Sequence, residues 1–232
     1  MIENLNRYFD HSLLRPESDR RAISKLCREA REYAFFGIAI NPYWVPIARE
    51  ELADSDVKII SVAGFPLSAN RVDIKIAEAV KGVEDGADEI DMVANIGLLN
   101  MGEYSRAEDE IRQVRRHLPH EIILKVIIEA PLIPPQTQIE ATKAVINAGA
   151  EYVKTATGFF GGASIEIVKR LSQTAAGQIK VKASGGIRTL ADTAALIKAG
   201  AARIGSSASV DIMNEYRSTP ASTSPKAGGE RI

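Results

Sequence analysis

Short β-branched runs alternate with longer amphipathic runs from near the start of the chain to about residue 217. The short runs predict strands over 8–14, 37–41, 57–65, 89–95, 122–129, 152–157, 180–185 and 203–207. Between them, apolar residues three and four apart predict helices over 19–33, 72–85, 104–117, 137–147, 164–173 and 190–198. Eight strands alternating with helices imply βα units and a parallel sheet. At that count the sheet closes, so the expected fold is a single α/β domain, a (β/α)8 TIM barrel over residues 1–217. An internal echo supports it. Gly86-Ala87-Asp88-Glu89-Ile90, Gly149-Ala150-Glu151-Tyr152-Val153 and Gly200-Ala201-Ala202-Arg203-Ile204 each read as a helix-ending glycine, a small residue and a strand. Residues 218–232 are rich in Ser, Thr, Pro, Gly and charge, lack apolar periodicity, and are expected to be a disordered tail.

Composition narrows the function. The chain has 232 residues, 45% of them apolar, enough for one substantial core. A formal net charge of −1 gives no global electrostatic case for a nucleic-acid partner, so an anionic ligand must be held by a local cluster. The one cysteine, Cys27, lies in a helical stretch, cannot pair within the chain, and reads as a packing residue. Its lack of a partner fits a reducing compartment. The first residues contain no apolar signal core, and no run approaches the ~20 apolar residues that span a bilayer. We read a soluble, cytoplasmic protein without a membrane partner.

The chemistry should sit at the C-terminal ends of the strands. Only every second strand residue points into a barrel, so a charged residue at inward phase in an apolar strand is informative. Three lysines fit. Lys125 interrupts Ile122-Ile123-Leu124-Lys125-Val126-Ile127-Ile128-Glu129, Lys154 sits in Tyr152-Val153-Lys154-Thr155, and Lys182 sits in Lys180-Val181-Lys182-Ala183-Ser184. One such lysine is best explained by snorkelling or by a carboxylate partner. Three on neighbouring strands are not a packing solution, because each ammonium loses its hydration. Burial and a second ammonium both disfavour the charged form, which frees an amine to attack a carbonyl and form a Schiff base.

Acidic residues supply the counterpart. Glu89 and Asp91 share one phase of strand four. Glu89 reads as a strand-entry salt bridge, whereas Asp91 is placed to move protons beside the lysines. Asp10 in strand one resembles Asp91, and neighbouring His11 reads as structural. Ser184-Gly185-Gly186 follows strand seven and Gly205-Ser206-Ser207 follows strand eight, where barrels commonly hold phosphate on backbone N–H groups. Gly158-Phe159-Phe160-Gly161-Gly162 after strand six is placed to fold over a ligand.

These residues together resemble the deoxyribose-phosphate aldolase family, from Phe9-Asp10-His11-Ser12-Leu13-Leu14 to about Val210. The matching segments include Asn41-Pro42, Gly64-Phe65-Pro66, Asp88-Glu89-Ile90-Asp91-Met92-Val93, Lys125-Val126-Ile127-Ile128-Glu129, Lys154-Thr155-Ala156-Thr157-Gly158, Lys182-Ala183-Ser184-Gly185-Gly186-Ile187-Arg188 and Arg203-Ile204-Gly205-Ser206-Ser207. The resemblance implies reversible cleavage of 2-deoxyribose 5-phosphate to glyceraldehyde 3-phosphate and acetaldehyde, with no metal and no organic cofactor. It implies that Lys154 forms the Schiff base, that Lys182 lowers the pKa of that amine, and that Asp91 serves a proton relay. Asp10, Lys125, Thr155, Gly158, Gly185, Gly186, Gly205, Ser206 and Ser207 are the expected substrate and phosphate contacts. A small phosphorylated sugar and an aldehyde are the expected partners, and a homodimer is compatible with the family.

Several positions depart from the family pattern: Ala39, Ala130, Ala156, the segment Ser68-Ala69-Asn70-Arg71-Val72, and Ala208-Ser209. Two alternatives therefore stand beside the first reading. One is another lysine-dependent sugar-phosphate aldolase; the other is a non-catalytic sugar-phosphate-binding barrel.

Overall fold

Alternating side chains along each strand sort the molecule into two apolar layers with a charged axis. The computed structural model describes residues 2–219. Its strands are β1 (Phe9–Leu13), β2 (Gly37–Ile40), β3 (Lys58–Ala63), β4 (Glu89–Val93), β5 (Ile123–Ile127), β6 (Tyr152–Lys154), β7 (Lys180–Ser184) and β8 (Ala201–Ser206). All pair in parallel and in chain order, and β1 closes the cylinder against β8 with Asp10 opposite Gly205. The expected (β/α)8 TIM barrel is the observed fold.

The helices among the described residues are α1 (Arg20–Glu32), α2 (Val45–Glu51), α3 (Val72–Glu84), α4 (Ile96–Asn100), α5 (Tyr104–His117), α6 (Pro135–Asn147), α7 (Ile165–Ala175), α8 (Leu190–Lys198) and α9 (Ser209–Ser218). Side-chain caps fix several starts: Asp19 accepts from the Ala22 N–H, Ser164 from Ile167 and Thr189 from Asp192. The outward strand residues, such as Ile90, Met92, Leu124, Val126, Val153 and Ile204, pack with inward helix residues such as Ile23, Val114, Val145 and Leu171. This layer between sheet and helices is the main hydrophobic core. Cys27 belongs to it; burial pushes its thiol up to about 12, as a packing residue requires.

The three glycine joints all hold. Gly86, Gly149 and Gly200 have φ of 106°, 82° and 115°, in the region a side chain disfavours. Three helices escape the sequence pattern. α2 carries Pro46 in its first turn, where a missing N–H costs nothing, although a proline in sequence reads as a break. α4 is a single short turn, and α9 starts directly behind β8. The last helix ends on Ser218, so the expected tail begins one residue inside α9, and from residue 220 onward it lies outside the described residues. Among the described residues no helix is long and apolar enough to cross a membrane.

Candidate active site

Inside the cylinder the inward positions of six strands carry charge, β1 through Asp10 and β4 to β8 through the residues that follow. Asp91 on β4 lies opposite Lys125 on β5, Lys154 on β6 lies opposite Lys182 on β7, and Lys182 lies opposite Arg203 on β8. All five side chains are buried, as are Asp10 and Glu89. Their ion pairs close into a ring. Lys125 Nζ lies 2.5 Å from Glu89 and 2.8 Å from Asp91 Oδ1. Asp91 Oδ2 is shared by Lys154 Nζ at 2.8 Å and Lys182 Nζ at 2.7 Å. Lys182 continues to Asp10 at 2.5 Å, Asp10 to Arg203 at 2.9 Å, and Arg203 returns to Glu89 at 3.6 Å.

Four cations thus face three carboxylates. Lys125, Lys182 and Arg203 each touch two carboxylates; Lys154 touches one, and shares that oxygen with Lys182. The surplus charge therefore falls on Lys154. Burial is the largest influence on its amine and pushes the pKa down; Asp91 opposes, and the Lys182 ammonium adds to the depression. The result is about 8. For Lys125 burial also acts downward, but Asp91 and Glu89 outweigh it and hold the ammonium firmly protonated. Burial would raise the Asp91 carboxyl, but Lys125, Lys154 and Lys182 together hold it well below the usual carboxylate range. Asp10 is likewise held low by Lys182 and Arg203 against burial.

Above this ring opens a cavity of about 230 Å³ at the C-terminal ends of the strands. Lys154 and Lys182 form its floor, and Ser12, Ala39, Thr157 and Ser184 its walls. Gly158, Gly185, Gly186, Gly205, Ser206 and Ser207 line its rim, with Arg15 and Arg188 at the mouth. Gly185 and Gly186 have φ of 92° and 74°, which turns consecutive backbone groups into one concave loop. A Cβ on Gly185 would come within 2.8 Å of both Gly161 O and Gly162 Cα, so the connections after β6 and β7 interlock without side chains. Of the Gly158–Gly162 connection, Gly158 and Phe159 line the cavity, with Phe159 edge-on to Phe65 at 5.5 Å.

The structure brings Lys154, Lys182 and Asp91 together. It sets three other expected contacts apart from the cavity surface. Asp10 and Lys125 lie beneath the floor in the ring. Thr155 points to the β7 backbone, donating to Ser184 O and accepting from Ser184 N–H. Ser206 reaches the rim, but its hydroxyl donates to Ile187 O and accepts from the Ala208 N–H, so it shapes the loop. Glu89 makes salt bridges, as expected, though inside the barrel. His11 packs against Phe35 and bonds Glu29, a structural role.

Sequence reasoning overlooked Arg203, whose guanidinium lies 3.3 Å over the Phe36 ring and completes the ring of charges. It also overlooked Glu129, which follows β5 at a φ of 46° and accepts from the Thr157 N–H, with burial raising its pKa. The departing segment 68–72 is tied down by Lys75, whose Nζ donates to Ser68, the Val93 carbonyl and Glu110. Among the described residues no group of His, Cys, Asp or Glu side chains is arranged to hold a metal ion.

Comparison with known proteins agrees with this geometry. The model of the DeoC/LacD family aldolases matches residues 7–213. The deoxyribose-phosphate aldolase of Caldanaerobacter subterraneus subsp. tengcongensis is 45% identical over 93% of this chain and 95% of its own. That of Brevibacillus brevis is 43% identical over 93% and 98%. A putative deoxyribose-phosphate aldolase from Coccidioides immitis superposes with a TM-score of 0.90 at 37% identity, covering 93% of this chain and 87% of its own. The Aeropyrum pernix deoxyribose phosphate aldolase, described as tetrameric, superposes at 0.83 with 32% identity, covering 92% and 91%.

Proposed function

The chain belongs to the DeoC/LacD family of aldolases, and from that premise we propose that it is a class I aldolase. Its reaction is the reversible cleavage of 2-deoxyribose 5-phosphate to glyceraldehyde 3-phosphate and acetaldehyde, for which the relatives above are named. The observation that carries the assignment of residues is the unequal sharing of carboxylates, which leaves Lys154 as the cation most easily discharged.

The neutral Lys154 amine adds to C1 of the open-chain sugar. The carbinolamine takes up a proton and loses water, giving an iminium. The C2–C3 bond then breaks. Its electron pair forms the C1–C2 double bond of an enamine, nitrogen accepts the former C=N pair, and the C3 hydroxyl passes its proton to solvent in the open cavity as glyceraldehyde 3-phosphate departs. Protonation of the enamine at C2 and hydrolysis release acetaldehyde and restore the amine. Asp91, bonded to both Lys154 and Lys182, links the protons of the two amines, and Lys182 supplies the acid. The ring also contributes to the bond-breaking step. An iminium gives the interior one surplus positive charge, whereas an enamine leaves it balanced, so the fixed charges favour cleavage over the imine ground state. The Gly185–Gly186 loop and the Gly205 and Ser207 rim hold the phosphate end, with Arg188 at the mouth.

Reduction with borohydride in the presence of acetaldehyde is expected to leave a two-carbon unit on Lys154 alone. Cleavage of deoxyribose phosphate should exceed that of other aldol partners. Attachment at another lysine, or no attachment, defeats the residue assignment; negligible cleavage of this substrate beside strong activity on another defeats the substrate. We further place the enzyme in the cytoplasm as a homo-oligomer. The unpaired, buried Cys27 and the tetrameric Aeropyrum pernix relative support this, and sedimentation at assay concentration tests the assembly.

A further inference from the structure

The mechanism above uses Lys154, Lys182 and Asp91. It leaves unused a buried tier below them: Glu89 at the start of β4, Arg203 near the start of β8, and their partners Lys125 and Asp10. We propose that Glu89 and Arg203 are positioning residues for the reaction, which set the charge state of Lys154 without touching it, by fixing how much of Asp91 and Asp10 is left for the two amines.

The geometry gives each of them a direct route upward. Glu89 reaches the site through Lys125, which divides itself between Glu89 at 2.5 Å and Asp91 Oδ1 at 2.8 Å. Without the Glu89 charge, Lys125 depends wholly on Asp91, and the interior gains a net positive charge. Arg203 reaches the site through Asp10, which divides itself between Arg203 Nη1 at 2.9 Å and Lys182 at 2.5 Å. Without the Arg203 charge, Asp10 serves Lys182 alone, and the interior gains a net negative charge. Glu89 and Arg203 also face each other at 3.6 Å, so removing both leaves the balance as it was. Neither contacts the cavity, so neither touches substrate.

The other ionisable groups around Lys154 do not share this role. Glu129, beyond the end of β5, is the remaining carboxylate whose charge Lys154 senses, and it is bound to the Thr157 N–H and kept apart from the ring. The Tyr152 hydroxyl faces Arg203 at 3.5 Å, and Lys180 lies over the Tyr152 ring rather than toward Lys154. A purely structural role predicts that any substitution in the tier loosens the site in the same way. The charge role predicts opposite signs.

This inference rests on Lys154 being the imine-forming amine, and the test separates the two. Capture of the acetaldehyde imine at Lys154 by cyanoborohydride is followed by mass as a function of pH. Each variant is divided by the wild type at every pH, so the reagent's own pH dependence cancels. Glu89→Gln is expected to move the midpoint for free amine down by about one pH unit, and Arg203→Gln to move it up by about as much. The double variant should return to the wild-type midpoint. Arg203→Lys, which keeps the charge and gives up the stacking on Phe36, should stay there too. Capture at Lys154 with all midpoints unmoved, or with both single variants moving the same way, overturns the proposal while the Schiff-base reading stands. Absence of capture at Lys154 in the wild type removes that reading itself. Should one single variant fail to fold, the sign of the other decides.

Discussion

Replacing Lys182 with methionine tests the electrostatics of the site most directly. The substitution keeps an unbranched stem and removes one ammonium. Asp91 Oδ2 then faces Lys154 alone, because the 2.7 Å contact from Lys182 is gone. The interior holds three cations against three carboxylates, which balances only with Lys154 protonated. Burial still acts downward, so its pKa should rise from about 8 only part of the way to the ordinary 10.5. A rise of about one unit leaves roughly tenfold less free amine at pH 7. The assay is the rate of acetaldehyde capture at Lys154, with cleavage of deoxyribose phosphate in parallel, from about pH 6.5 to about 10.5. The capture deficit should be roughly tenfold at neutral pH, shrink above about pH 8, and vanish by about pH 10.5, whereas cleavage stays impaired because the acid is gone. A capture deficit that stays constant across this range refutes the reasoning, since Lys182 would then act by a route other than the field at Lys154. No deficit at all refutes it equally.

Other substitutions probe the remaining links. Lys154→Met should abolish trapping yet make the protein more stable at pH 7, by ~1–3 kcal/mol. A lysine whose folded pKa is lowered costs stability while both states are protonated, below about pH 8, and that cost fades as pH rises to 10.5; urea titrations should show the advantage disappear there. Gly185→Ala must relieve contacts of 2.8 Å at a φ of 92°. It should raise KM for the phosphorylated sugar on the order of tenfold, while acetaldehyde capture changes little. Lys75→Met strands the Glu110 carboxylate and frees Ser68. A loss of ~3 kcal/mol in denaturant stability is expected, and a loss under 1 kcal/mol would show that the buried pair is not holding the segment.

The barrel was legible because its strands alternate cleanly. Asp91, Lys125, Lys154 and Lys182 each interrupt an apolar run at inward phase, and no packing role accounts for so many buried charges. Phase gives the side of a strand a residue faces, not its height along the axis. Height depends on the stagger between strands, which sets Asp91 against Lys125 but Lys154 against Ile127. Lys125 and Asp10 therefore read as substrate contacts when they lie under the floor. Arg203 was obscured because an arginine near a strand start ordinarily extends to solvent, and only the ring reveals why this one is buried. Lys75 stands at an ordinary polar position of a helix; the loop that buries it is brought there by the fold.

The side-chain-free seam between the connections after β6 and β7 also bears on redesign. Ala163 N–H donates to the Gly185 carbonyl, and Gly158, Gly161 and Gly162 crowd the same peptide from above. A new ligand preference cannot be built at Gly162 or Gly185 while the opposite connection is held fixed, because a carbon added at either enters its neighbour's backbone. Randomised libraries confined to either stretch should consist mainly of failures. The exchangeable unit is the pair, transplanted as one cassette from a homologue in which both halves have already adapted to each other.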